Sequence, residues 1–441
     1  MSKSLDIHLQ DQSGNAPRGE TKHRVELWDQ MHLIFQQYND HQLHGVLYFS
    51  GFLDLDCLKK AVLITMKQLP ELSSRYAEDI LRPYWKEIHP LPDEVVTCVN
   101  SHDQTTEIET FLTSQSDTFA GPQIKVRVVR AERNDTLCIL MNHMISDGAG
   151  FKEYLYMLAE AYTRLKRNPT LSPAYKIGGS RSVKQVVKQI GLKNRIKALL
   201  MPDYQPKKSG QFFFPLSGEA GEVPCLLSFK LNSTRFEKIK QYGKKLNATI
   251  NDIVFAAFIR ALCTMLDVKD DTPINVSCIM DLRHYLPDKK ADEICNLTST
   301  ILCNIDFKAE ESFSETVVKV KRTMDRQKSQ LPGLKGLLLL DIVFSLFPYK
   351  IAQKMISRHF VNPLTSISNI GIIDDSQLIF DTLWVEDAFI TGAVKFYPYF
   401  LLALSSFRNT ATFTVCLNGT DKDKRLVEKF FTLLDNELKM D

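Results

Sequence analysis

The chain has 441 residues, too many for one compact core, so two units of roughly 200 residues each are expected. Hydrophobic residues make up 44% and charged residues 24%, the composition of a soluble globular protein. The formal net charge of +3 and a pI of about 8.2 are too weak a bias to imply a nucleic-acid partner, and they are compatible with an anionic ligand.

Residues 1–24 are polar and lack an apolar core, which argues against a secretory signal and for a mobile tail. Nine cysteines are scattered from Cys57 to Cys416 without a CxxC, so they read as reduced thiols of a cytoplasmic protein. His41 and His44, in DHQLHG, read as a partly exposed loop. No cysteine or acidic cluster stands near them to complete a metal shell, so no metal site is expected. P-loop, GxGxxG, HExxH and GxSxG motifs are absent from the sequence.

Along the chain, GVLYFSGF (45–52) predicts a strand, and residues 54–68 predict a helix with an acidic start, stopped by Pro70. QIKVRVVR (123–130) alternates like a strand with one wet face. Residues 136–141, TLCILM, predict a strand buried on both faces, and residues 151–165 predict an amphipathic helix. The DGAG segment between them is therefore a strand-to-helix turn. Residues 176–224, rich in Pro, Gly, Ser and Lys, form the expected linker between a unit at 25–175 and a unit at 225–441. Within the linker, residues 183–200 predict one basic amphipathic helix. It suits a solvated face, a peripheral membrane contact or an acidic partner.

The second half predicts a strand at 225–231, a helix capped by Thr234 and Glu237, and a helix at 250–266 opened by Thr249 and Asp252. Strands follow at 274–280 and 296–307, then a charged helix at 313–329. The apolar stretch 333–360 is broken by Asp341, Pro348 and Lys350, which favours a buried helix pair or a lipid-facing wall over a membrane span. Three strand patterns at 388–396, 400–407 and 411–417 precede a last helix from 421 to 439. Both halves are thus mixed α+β units, and the interface between them is a natural place for a cleft.

One motif stands out: His143, Asp147 and Gly148 form HxxxDG between the buried strand and the helix. With Asn142 in front, NHxxxDG resembles the HHxxxDG hallmark of the chloramphenicol acetyltransferase-like superfamily. That group includes condensation domains, polyketide-associated acyltransferases, alcohol acetyltransferases and wax ester synthases. FAGPQIKVRVV (119–129), ATINDIVFAAFIRAL (248–262), MDLRHYLP (280–287) and SISNIG (366–371) resemble further family segments in family order.

The resemblance implies two subdomains, each a mixed sheet flanked by helices, with the active-site channel at their interface. It implies that His143 is the general base and that the Gly148 N–H meets the oxyanion, chemistry that suits an imidazole and a backbone donor. It further implies that Asp147 is structural and pairs with Arg283. Asn142, Ser146, Asn296, Ser368 and Asn369 are expected along the substrate channel. No permanent cofactor is implied; coenzyme A or a phosphopantetheine thioester is the co-substrate.

The expected reaction is acyl transfer from acyl-CoA or acyl carrier protein to a hydroxyl, by a freestanding monomer. The acceptor is expected to be a small-molecule or lipid alcohol or amine. The alternatives are a standalone condensation enzyme that forms an amide from a carrier-bound acyl group, and an inactive binding scaffold of the same fold.

Overall fold

The computed structural model describes residues 21–169, 179–201 and 212–440. The first half runs β1 (Lys22–Arg24), α1 (Leu27–Phe35), β2 (Gln42–Phe49), α2 (Leu55–Gln68), β3 (Ser74–Ala77), β4 (Tyr84–Glu87), α3 (Pro92–Val95), β5 (Val96–Asn100), α4 (Gln104–Leu112), β6 (Ile124–Arg130), β7 (Asp135–Asn142), α5 (Gly148–Arg167), α6 (Lys184–Gln189) and α7 (Leu192–Leu200). The second half adds β8 (Val223–Leu231), α8 (Ser233–Lys245), α9 (Ile250–Leu266), β9 (Thr272–Asp281), β10 (Thr298–Phe307), α10 (Phe313–Lys328), α11 (Leu334–Leu346), α12 (Tyr349–His359), β11 (Thr365–Ile373), β12 (Val385–Thr391), β13 (Phe400–Phe407), β14 (Thr410–Gly419) and α13 (Asp421–Glu437).

Two mixed sheets organise these elements. One has the order β12-β2-β7-β6-β5 and the other β10-β9-β11-β13-β14-β8. A small third sheet, β1-β4-β3, caps the first half. Every residue of β7 is buried, because β2 and β6 flank it and helices cover its faces. Burial on both faces explains its unbroken apolar run. The two-subdomain α+β architecture follows the sequence expectation.

Two large cores fill the halves. The first surrounds β2, β7, α2 and α5; the second surrounds α9, β13, β14 and α13. The first core also takes in residues from the second half of the chain, including Leu282, Cys295, Leu337 and Ile356. The strand β12 goes further and pairs antiparallel with β2, Ala388 opposite Leu47 and Ile390 opposite Gly45.

Several local expectations change. Residues 1–20, 176–178 and 202–211 of the expected tail and linker lie outside the described residues, and Lys22–Arg24 is a strand paired with β4. The basic helix is two helices, broken at Ile190 and Gly191; Ile190 is extended and buried, and glycine weakens a helix interior. The cap of α8 is Asn232, whose side chain accepts from the Arg235 N–H, rather than Thr234. His44 lies in β2 and is fully buried rather than in an exposed loop. The Thr249–Asp252 capping box is present as read. The 333–360 stretch is the helix pair α11–α12, and among the described residues no single helix is long and apolar enough to cross a membrane.

Candidate active site

A cavity of about 710 Å³ lies between the two sheets. Its first-half wall comes from α1 and from the turn after β7; its second-half wall comes from β11, β13 and the helix pair α11–α12. Trp28, Phe35, Leu337, Leu340, Ile356 and Phe360 make much of that wall apolar. His143, Gly148, Ser368 and Asn369 all line it.

His143 begins the three-residue turn that ends β7. Its backbone N–H donates to the His41 carbonyl, and its own carbonyl accepts from the Asn296 side chain at 2.8 Å. Burial disfavours the imidazolium and holds the ring below its ordinary value. The imidazole is therefore neutral at neutral pH, with a lone pair available. Its Nδ1 has no hydrogen-bond partner among the described residues.

Asp147 does not orient that ring. One of its oxygens caps α5 by accepting from the Gly150 N–H at 2.8 Å. The other accepts from Arg283 Nη1 at 2.7 Å and from the Leu297 N–H at 2.7 Å. Burial would push its carboxyl up, but the guanidinium and the two N–H donors outweigh that and hold it below the usual range. Arg283 also donates to the Cys295 carbonyl at 2.8 Å and reaches Asp281 at 3.2 Å. The pair clips the start of α5 to the segment entering β10, so both subdomains fix the turn that aims His143.

The glycines of the motif have separate reasons. Gly148 is the first residue of α5, so its N–H has no acceptor within the helix. A Cβ there would stand 3.0 Å from the Ile370 side chain of β11. At Gly150 a Cβ would stand 3.0 Å from the Cys295 carbonyl oxygen and 3.2 Å from its nitrogen. Neither backbone atom can move aside freely.

Three residues expected on the channel stand behind it instead. Asn142 is buried, donating to Thr118 at 2.9 Å and to Gln123 at 2.6 Å and accepting from the Met144 N–H at 2.9 Å. It shapes the turn from inside. Ser146 is fully buried with its hydroxyl on the Met141 sulfur. Asn296 is buried and donates to the carbonyls of His143 and Met144. In a tight turn, neighbours of an outward-facing residue point inward, which sends Asn142 and Ser146 into the core. Ser368 and Asn369 do reach the cavity, and Asn369 also accepts from the Gly371 N–H at 2.8 Å across a β-bulge.

The sequence reading missed three groups. His32, on α1, stacks on His143 with ring centroids 4.1 Å apart and 26° between planes. Burial, then the neighbouring imidazole, holds it well below its ordinary value. Its signal was the helical period of Leu27, Met31 and Ile34 around a lone histidine. Lys395 lines the cavity and donates to Asn39 at 2.8 Å; burial brings its ammonium down to about 8.

Arg181 sits in the expected linker, yet it is buried. It pairs with Asp29 at 2.9 Å and with Glu71 at 3.2 Å, and it donates to the carbonyls of Met144 and Ile145. Asp29 lies one turn before His32 on α1, so Arg181 ties the helix of one imidazole to the turn of the other. No local pattern separates Arg181 from the exposed linker cations.

Comparison with known proteins fits this architecture. Residues 294–371, which include Asn296, Ser368 and Asn369, match the WS/DGAT C-terminal domain. No curated protein matches the chain. Trichothecene 15-O-acetyltransferase TRI3 from Fusarium sporotrichioides is similar in structure, with a TM-score of 0.67 at 15% identity over 95% of each chain. Polyketide synthase associated protein 5 from Mycobacterium tuberculosis has a TM-score of 0.65 at 13% identity, over 95% of this chain and 99% of that one. The first condensation domain of the calcium-dependent antibiotic synthetase has a TM-score of 0.68 at 14% identity, over 96% and 97%. The chain therefore has the chloramphenicol acetyltransferase-like fold of condensation domains and acyltransferases.

Proposed function

We propose that this chain transfers an acyl group from a thioester, on coenzyme A or a carrier protein, to a hydroxyl acceptor. The observation that carries this reading is the state of His143. Its imidazole is neutral, half-buried on the wall of an apolar cavity, and aimed by an ion pair that leaves the ring free of any carboxylate. Such a ring accepts a proton at neutral pH.

The neutral imidazole takes the proton of the acceptor hydroxyl as its oxygen attacks the thioester carbonyl. Negative charge collects on the carbonyl oxygen, where the Gly148 N–H at the positive end of α5 stabilises it. The C–S bond then breaks, and the departing sulfur takes the proton back from the imidazolium. A free thiol and an ester leave, and His143 is neutral again. His32 keeps the imidazole oriented by stacking.

The WS/DGAT match and the acetyltransferase named among the similar structures support acyl transfer to oxygen. The apolar wall supports a lipophilic acyl chain or acceptor. An amine acceptor would follow the same scheme with nitrogen as the attacking atom.

The test is thiol release from acetyl-, octanoyl- and palmitoyl-CoA, and from acyl carrier protein, with pooled alcohols and amines. Products are read by mass spectrometry, with His143→Ala as control. The expected outcome is an ester from the wild type, and none from His143→Ala at an unchanged melting temperature. Equal product from both proteins removes His143 from the base role. Release with neither donor class returns the chain to the scaffold reading, and an amide product selects the condensation enzyme.

A further inference from the structure

The helices α7, α11 and α12 leave an apolar surface uncovered. On α7, Leu192, Ile196 and Leu200 are exposed at one-turn spacing, Leu200 at 78%. They share one helix face, while Ala198 and Leu199 turn inward. α7 packs on α11, and Lys335 of α11 donates to the Met201 carbonyl at the end of α7. On α11, Leu339, Ile342 and Leu346 are exposed, Leu346 at 72%. On α12, Ile351 and Met355 are exposed.

The surface continues past the α11–α12 corner. The Tyr349 N–H donates to the Leu81 carbonyl at 3.1 Å, which places the exposed Ile80 and Leu81 beside Leu346 and Phe347. Isolated exposed leucines need no explanation, but a connected apolar face on a chain of this composition does.

Charge says what covers it. The helices α6, α7 and α12 hold eight lysine and arginine residues and no aspartate or glutamate. The chain as a whole carries only +3, so cationic charge is concentrated here. Lys184, Lys188, Lys193, Lys197 and Lys354 are exposed. Opposing them are Asp341 on α11 and the Glu78–Asp79 pair, of which Glu78 is bonded to Lys350. Short helices with leucine and isoleucine on one side and lysines at the flanks lie in the plane of an anionic lipid interface. The cavity meets the same surface: Leu339 and Met355 are exposed and also line its wall.

We propose that the α7–α11–α12 face docks on an anionic lipid surface and that the active-site cavity opens there. That a lipophilic substrate enters from the lipid rests on the acyl-transfer reading; the docking itself does not.

The test is flotation of the full chain with phosphatidylcholine vesicles, with and without phosphatidylserine, at low and high salt. The wild type should bind the anionic vesicles about tenfold or more tightly than the neutral ones, and salt should weaken that preference. The variant Leu192→Ser/Ile196→Ser/Leu200→Ser should lose at least about tenfold in anionic-vesicle affinity. Lys193→Glu/Lys197→Glu should lose the preference for the anionic vesicles. These side chains are exposed and lie outside the cavity wall, so unchanged melting and unchanged turnover of short soluble substrates serve as controls.

No binding to anionic vesicles, or binding that neither variant weakens, overturns the proposal. So does binding of acyl carrier protein lost in the lysine variant without vesicle binding, which would assign the face to an acidic protein. Vesicle binding is read without turnover, so it stands or falls separately from the acyl-transfer reading.

Discussion

Removing the Arg283 guanidinium is the perturbation most directly tied to how the turn is held. Its side chain is 8% exposed and that of Asp147 is 2% exposed, and they meet at 2.7 Å. In Arg283→Ala the Asp147 carboxylate keeps two backbone N–H donors but loses its countercharge, and the Cys295 carbonyl keeps only the longer bond from the Asp147 N–H at 3.4 Å. Breaking one side of such a pair costs about 3–5 kcal/mol. Asp147→Asn leaves the guanidinium beside Cys295 and the half-exposed Asp281, so its cost should lie near the lower end of that range. The double variant strands no buried charge, leaving only the half-exposed Asp281 without its partner, and should be less destabilised than the sum of the two by about 2–3 kcal/mol. Urea unfolding at neutral pH, followed by tryptophan fluorescence, suits the measurement because Trp85 lies in the first core and Trp28 packs against it. Additivity within about 0.5 kcal/mol would show that the two charges do not act on each other, and the account of the braced turn would fail.

Acid should weaken the fold through its buried histidines. His32, His41, His44 and His143 are all held below the ordinary value of 6.5 by burial, His41 at about 4 and His44 at about 3. Below pH 6.5 the unfolded chain takes up protons that the folded chain refuses. Stability should then fall by up to about 1.4 kcal/mol per pH unit for each such ring, down to the folded-state values. Urea midpoints measured from neutral pH downward check this, and a His44→Gln variant should flatten the slope by one proton. Gly150→Ala should cost roughly 1–3 kcal/mol by pressing on the Cys295 backbone, whereas Gly191→Ala, with nothing within 4 Å of its Cβ, should be near neutral in the same melts. Arg181→Met strands Asp29 and Glu71 and should cost about 3–5 kcal/mol. Loss of turnover at temperatures where that variant remains folded would show that it also misplaces His143.

What was legible in the sequence follows the physics of local signals. The strand at β7 and the helices α5 and α9 read correctly because burial imprints a period or an unbroken apolar run. Asp147 with Arg283 was legible only through resemblance, since 136 residues separate them and no periodicity links such positions. Arg181 was not legible because its importance comes from tertiary partners, Asp29 and Glu71, rather than from its own segment; the period around His32 marked a buried face, but nothing local tied it to His143. Asn142 and Ser146 misled for the opposite reason: adjacency to His143 in sequence suggested a shared cavity, but a tight turn sends alternate side chains to opposite sides.

The crossing strand β12 has a consequence for how the chain is made. The first sheet presents β2 as an open edge until residues 385–391 arrive to pair with it. A ribosome delivers the N-terminal residues first, so the chain up to residue 391 must emerge before that edge is closed. An open edge is a template for pairing with other chains. The second half is thus an internal guardian of the first, and a nascent chain stalled before residue 385 is the species for which a cell would need a chaperone.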